Sequence, residues 1–197
     1  GGDGDTFTLT DSIETVDGTA GDDTFSGVVD TSNSTFQNGD IINGGDGTDR
    51  FNLTVNDANT PAGGETNSVE QQLWNRNSLD DADLTFAAVD TNATIGVRDT
   101  GSSTIVNYAS SVLDGNDDTD NVALDNAQGG DVTIGTNGAE TVAIQALGNS
   151  ASEIGSLDTG NGETVEITGA QDLAVSSGVN DDVTLFDATG ASGDVSA

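Results

Sequence analysis

Short runs in which apolar and polar residues alternate recur along the chain, each closed by glycine, aspartate or asparagine. Examples are "TFTLT" (6–10), "FNLTV" (51–55), "DVTIG" (131–135), "TVAIQ" (141–145), "TVEIT" (164–168) and "DVTLF" (182–186). Alternation with a period of two buries one face of a strand and leaves the other in water, so these runs read as short β-strands. Further strands are expected over 93–98, 104–108, 121–124, 140–146, 163–168 and 172–176. The paired inward residues are Val132/Ile134, Val142/Ile144, Val165/Ile167, Leu173/Val175 and Val183/Leu185. Only Val69 and Leu73, at i,i+4, permit a short helix.

The apolar positions also keep time over a longer interval. Phe7, Val16 and Phe25 follow one another at nine-residue steps, as do Ile42 and Phe51. A glycine-rich, acidic cluster precedes three of them: "GGDGDTF" (1–7), "GTAGDDTF" (18–25) and "GGDGTDRF" (44–51). Aligned on the aromatic, Asp5, Asp23 and Asp49 each fall two residues before it; "GNDDTDNV" (115–122) is a degenerate fourth copy, with Asp120 in that place. Nine residues make a turn plus a short strand, and two such units make a coil. Coils stacked in parallel place Phe7 over Phe25 and Asp5 over Asp23, a fold class of all-β, right-handed parallel β-solenoid.

Charge changes the meaning of those turns. The 197 residues carry 35 acids against three cations, Arg50, Arg76 and Arg98, for a formal net charge of -32. Twenty-eight of the acids are Asp, a residue of turns, caps and calcium loops rather than helix interiors. Carboxylates stacked at a strand spacing of roughly 4.8 Å repel one another unless a cation lies between them. Glycine permits the tight turn and lets backbone carbonyls serve as further oxygen ligands. An all-oxygen donor set suits calcium, while a chain without Cys or His offers zinc almost nothing.

The candidate calcium ligands are therefore Asp5, Asp23 and Asp49, with Asp3, Asp22, Asp40 and Asp46 in the second rank. Backbone oxygens at Gly18, Ala20 and Gly44 and the carboxylate of Asp120 complete the candidate set. The plain alternative is that these aspartates cap their own turns. Lack of His, Cys and Lys removes the common catalytic triads and Schiff-base chemistry, and one Trp with one Tyr makes a thin sugar-cleaving platform. No enzyme activity is expected. A field of this sign repels nucleic acid and anionic lipid, and no apolar run is long enough to span a membrane.

"GTAGDDTF" and "GGDGTDRF" resemble the glycine-rich calcium-binding nonapeptide of RTX proteins, G-G-x-G-x-D-x-U-x. The order "TFTLTDSIETVDGTAGDDTFSGVV", "GDIINGGDGTDRFNLTV", "NSVEQQLW" is similar to the calcium-binding region of RTX-type bacterial surface-layer proteins. The motif part covers about the first quarter of the chain; the rest resembles a solenoid in texture only. RTX repeats run without interruption, whereas "VVDTSNSTFQNGD" (28–40) separates the second and third clusters here, and the first cluster is one residue short. The resemblance implies one to three calcium sites within residues 1–51 and a strand near Gln71–Asn75, with Trp74 a packing residue.

Residues 56–68, which hold the single proline, read as an exposed loop, with calcium-binding coils over 1–55 before it and an irregular solenoid over 69–197 after it, and more coils expected beyond. The implied function is an extracellular structural segment that folds with calcium and self-associates into a surface lattice through it, with cell-surface polysaccharide as a further partner. The alternatives are an RTX adhesin or biofilm-matrix module, or the non-catalytic module of a secreted enzyme.

Overall fold

Period-two alternation broken by glycine turns every dozen residues or so cannot build helices, and none is present among the described residues. The structure, a computed structural model, describes residues 3–30, 32–56, 64–76, 84–89, 92–108, 112–134 and 139–197. Among the described residues, eighteen strands wind into a parallel β-solenoid with two faces. The odd strands form one nine-stranded sheet: β1 (Thr6–Thr8), β3 (Thr24–Val29), β5 (Arg50–Val55), β7 (Gln71–Arg76), β9 (Thr94–Arg98), β11 (Thr119–Asp125), β13 (Thr141–Leu147), β15 (Thr164–Gly169) and β17 (Leu185–Ala191). The even strands make the opposite face in two ladders. The first holds β2 (Thr15–Asp17), β4 (Ile41–Asn43) and β6 (Glu65–Asn67). The second holds β8 (Leu84–Val89), β10 (Thr104–Tyr108), β12 (Val132–Ile134), β14 (Ser152–Asp158), β16 (Leu173–Val179) and β18 (Val195–Ser196). Parallel neighbours need a crossover, and here each even strand before β18 lies on the crossover between two odd ones.

The core is a set of columns running between the faces. Phe7 pairs with Phe25 and Phe25 with Phe51 in direct register. The Phe7 and Phe25 rings stack with centroids 5.0 Å and planes 14° apart. Ile95, Val122, Ile144 and Ile167 carry the same column onward, all buried. Each such side chain contributes roughly 1.5–3 kcal/mol by leaving water, and only its neighbours in the stack share in it.

Coil length is uneven. The step between stacked residues is 18 at Asp5/Asp23, 26 at Asp23/Asp49, 21 at Asp49/Glu70 and 27 at Asp99/Asn126. The two nine-residue units therefore describe the first coil alone. The insert accounts for the longer second coil, and its Phe36 turns inward to meet Phe51 edge-on at 4.8 Å. An Asn column on the β2–β4–β6 face adds side-chain rungs: Asn67 donates to Asn43 at 2.8 Å, and Asn43 to Asp17 at 2.6 Å.

Three expectations need correction. The segment 56–68 is not wholly a loop, because β6 lies within it and buries Thr66; residues 57–63 fall outside the described residues. Val183/Leu185 are not the inward pair of the last coil. Val183 does pack against the core from just before the strand, but Leu185 is 52% exposed, and Phe186, paired with Val165, takes the inner side. Strand β14, "SEIGSLD", was not anticipated, since Ser152 and Gly155 occupy inward positions and hide its alternation. The strand at Gln71–Asn75 is present as β7, with no helix there, while the Trp74 side chain lies outside the described residues.

Candidate metal centre

The turns that enter β3 and β5 have the same length, so they stack residue on residue. Asp23 donates its N–H to Asp49 Oδ1 at 2.7 Å and Thr48 donates to Asp22 Oδ1 at 2.9 Å. Asp46 donates its N–H to the Thr19 carbonyl at 3.3 Å. "GTAGDD" thus lies over "GGDGTD" position for position, despite the insert between them. The turn that enters β7 is shorter, residues 68–70, and Glu70 spans the difference with its longer side chain: Asp49 donates its N–H to Glu70 Oε2 at 2.7 Å. Below, Asp5 donates its N–H to Asp23 Oδ1 at 2.6 Å. Asp5, Asp23, Asp49 and Glu70 form one column in which the carboxylates of Asp23, Asp49 and Glu70 each reach back to the backbone of the coil before.

Glycine is required in this column for space. A Cβ on Gly18 would stand 2.0 Å from the Gly44 carbonyl oxygen and 2.5 Å from Asp23 Oδ2. A Cβ on Gly44 would stand 1.8 Å from the Ser68 carbonyl oxygen and 2.3 Å from Asp49 Oδ2. Two cradles result, each walled by a glycine, a carbonyl from the next coil and a carboxylate oxygen from its own turn. Gly45 and Gly47, with φ of 108° and 135°, take the left-handed backbone the second turn needs.

The two cradles differ electrostatically. In the first, Asp23 is saturated: Oδ2 accepts the Thr19 N–H at 2.5 Å, and the Thr19 hydroxyl lies 3.0 and 3.2 Å from its two oxygens. Burial pushes its carboxyl up, but the donors from Thr19 and Asp5 outweigh burial and hold it below the ordinary carboxylate range. In the second cradle, Asp49 is fully buried and its Oδ2 has no hydrogen-bond partner. Burial first, then the charges of Glu70, Asp23 and Asp22, push its carboxyl up against the one N–H bond from Asp23. A buried carboxylate with a bare oxygen beside a carbonyl is where a hard cation fits best.

The remaining candidates divide. Asp3, Ala20 and Asp46 are exposed around the same turns, and Asp22 is tied to Thr48. Asp40 is buried at the opposite corner of the coil, where it accepts the N–H groups of Glu14 at 2.9 Å and Gln37 at 2.6 Å, as a turn cap does. Asp120 is fully buried between the faces, where the Tyr108 hydroxyl donates to Oδ1 and Oδ2 has no partner. Burial raises its carboxyl to about 6, and burial followed by the Asp120 charge raises the Tyr108 phenol.

Sequence reading missed Glu70 and the Ser68 carbonyl. The signal for Glu70 was present, since it precedes its strand as Asp5, Asp23 and Asp49 precede theirs. It missed also a second carboxylate step, in which Asp118 donates its N–H to Glu140 Oε2 at 2.9 Å.

Among the described residues, no three Asp or Glu side chains converge closely enough to hold an ion by themselves. Backbone carbonyls would have to complete any coordination shell, as the cradles allow. A hollow of about 540 Å³ lies away from this column, along the corner that leads into β14, β16 and β18. No protein-family model, no curated protein and no solved structure matches this chain.

Proposed function

We propose that this chain is a calcium-stabilised structural segment, of the kind that RTX-type bacterial surface-layer proteins use outside the cell. The observation that carries the reading is Asp49: a fully buried carboxylate with one bare oxygen, set in a cradle with the Ser68 carbonyl and crowded by three other carboxylates. Such a group destabilises the fold until it takes a proton or a cation. Residues fit the cation in the second cradle, Asp49 Oδ2 with the Ser68 carbonyl, whereas Asp23 beside the Gly44 carbonyl would first have to give up its Thr19 donors. Calcium supplies the positive charge that these oxygens lack and takes as many oxygen ligands as a turn can offer.

The mechanism is coupling of folding to metal binding. At low calcium the net charge of -32 and the stacked carboxylates favour an expanded chain. At millimolar calcium the ion binds only where coils have stacked, and so stabilises the stack by about 2.7 kcal/mol per site at 100 times the dissociation constant. Further ions held between acidic surfaces draw copies into a lattice. A calcium titration followed by circular dichroism and melting tests this; equal β content and equal melting in excess chelator would sink it. Electron microscopy of the same samples separates a lattice protein, which forms calcium-dependent arrays, from an adhesin module, which binds glycan without them.

A further inference from the structure

The chain has three cations, and all three stand on neighbouring strands of the nine-stranded sheet: Arg50 on β5, Arg76 on β7 and Arg98 on β9. Arg50 and Arg98 line one hollow of about 150 Å³ on the outer surface of that sheet. Its floor is low because Gly96 and Ala123 occupy neighbouring outward positions of β9 and β11. Gln71, Asp125, Gln145 and the 39% exposed Leu147 also stand on its rim. Each guanidinium is steadied through Nε alone: Arg50 donates to Gln71 Oε1 at 3.2 Å, and Arg98 to Asp125 Oδ2 at 2.9 Å. Among the described residues neither uses its terminal nitrogens in a hydrogen bond, so the fork that grips a carboxylate is left over on both.

We propose that this hollow is where a second copy of the chain docks, by inserting a carboxylate from its own acidic surface between Arg50 and Arg98. Charge decides the occupant. Two copies at -32 repel in almost every orientation, and with 35 acids on each, a carboxylate is the group a neighbour presents most often. With Asp125 paired to Arg98 on the same rim, the hollow keeps a net charge of about +1, the one positive balance among the described side chains of a surface that is otherwise acidic. The volume admits one acidic side chain and is well below the roughly 300 Å³ of a small-ligand pocket. Calcium between acidic surfaces joins copies without choosing an orientation; the arginine pair selects one, as complementary charge does at interfaces. The docking contact rests on charge placement and stands apart from the calcium-folding reading.

Sedimentation velocity of the full chain tests it, in millimolar calcium and in chelator with added sodium chloride to screen the net charge. Wild type should self-associate in at least one condition, and Arg50→Gln/Arg98→Gln should weaken that association at least tenfold while melting as wild type does. Arg50→Lys/Arg98→Lys should fall between, because lysine keeps the charge and loses the fork. Wild-type association in the glutamine variant, a monomeric wild type in both conditions, or uptake of an acidic glycan in place of a second copy would each overturn the proposal. Arginine-dependent association with no calcium effect on melting would keep this contact and remove the calcium reading instead.

Discussion

Asp49 and Asp120 are the same residue in the same column of the same solenoid, each fully buried and each with a bare Oδ2. Their surroundings differ. Asp49 lies between Asp23 and Glu70, beside a backbone carbonyl, at the end of a glycine turn. Asp120 lies over Ala93 and under Val142, and its one strong donor is the hydroxyl of Tyr108. Both carboxyls are raised, the first by burial and neighbouring charge, the second by burial alone. A negative charge in a crowd of oxygens is best relieved by a multivalent cation, whereas one among apolar groups and a phenol is best relieved by a proton. The contrast separates a candidate metal site from a buried acid, although sequence spacing made them copies of one motif.

Metal removal gives the largest expected break in this comparison. If both cradles fill, stripping calcium should lower stability by about 5 kcal/mol, roughly 10–20 °C in melting temperature, measured by calorimetry with and without chelator. Asp49→Asn comes next. It keeps an acceptor for the Asp23 N–H and removes the crowded charge, so the calcium response should shrink by about 2.7 kcal/mol while the metal-free protein melts no lower. A variant that loses stability equally with and without calcium would make Asp49 a turn cap only. Asp120→Asn should leave the calcium response intact.

Gly44→Ala tests the cradle itself. Its methyl would drive into the Ser68 carbonyl and Asp49 Oδ2, costing about 1–3 kcal/mol in chelator and more in calcium, read from paired denaturation curves. The smallest effect concerns Asp120 and pH. Its native carboxyl titrates near 6, above its unfolded value near 4, so the native state holds the proton longer. Its contribution is greatest below pH 4 and is lost as pH rises through 6. Between pH 4 and 7.5 the wild type should lose on the order of 2 kcal/mol relative to Asp120→Asn, measured by urea unfolding at both values. Parallel pH curves for the two would remove the buried-acid assignment.

Much of the architecture was legible because parallel stacking writes itself into spacing. Phe7 and Phe25, Val142 and Ile144, Val165 and Ile167, and Leu173 and Val175 lie inward, as alternation demanded. β14 escaped because Ser152 and Gly155 fill inward places, and β6 because its one buried residue is Thr66. Leu185 misled because a strand bounded by Asp and Gly on both sides can shift by one residue without spoiling its alternation. At the candidate site, the column through Asp5, Asp23 and Asp49 was readable from a fixed distance to an aromatic. Glu70 holds the same place before its strand but lacks that mark, since Gln72 stands where the aromatic would be and its turn is shorter.

Sequence by itself determined that strands form, that glycine turns punctuate them, that carboxylates stack and that almost no cation of the chain's own opposes them. Those properties are local or additive, and short periods record them. Only the tertiary structure decided that Asp23 is saturated by Thr19 and Asp5 while Asp49 is left with a bare oxygen. It alone brought Tyr108 to Asp120, and Arg50 and Arg98 to one hollow. Apart from Thr19, four residues from Asp23 in the same turn, such partners lie 12 residues apart or more, at offsets set by the unequal length of each coil. Hydrogen bonding and burial act through space, and spacing along the chain predicts them only while the coils keep one length.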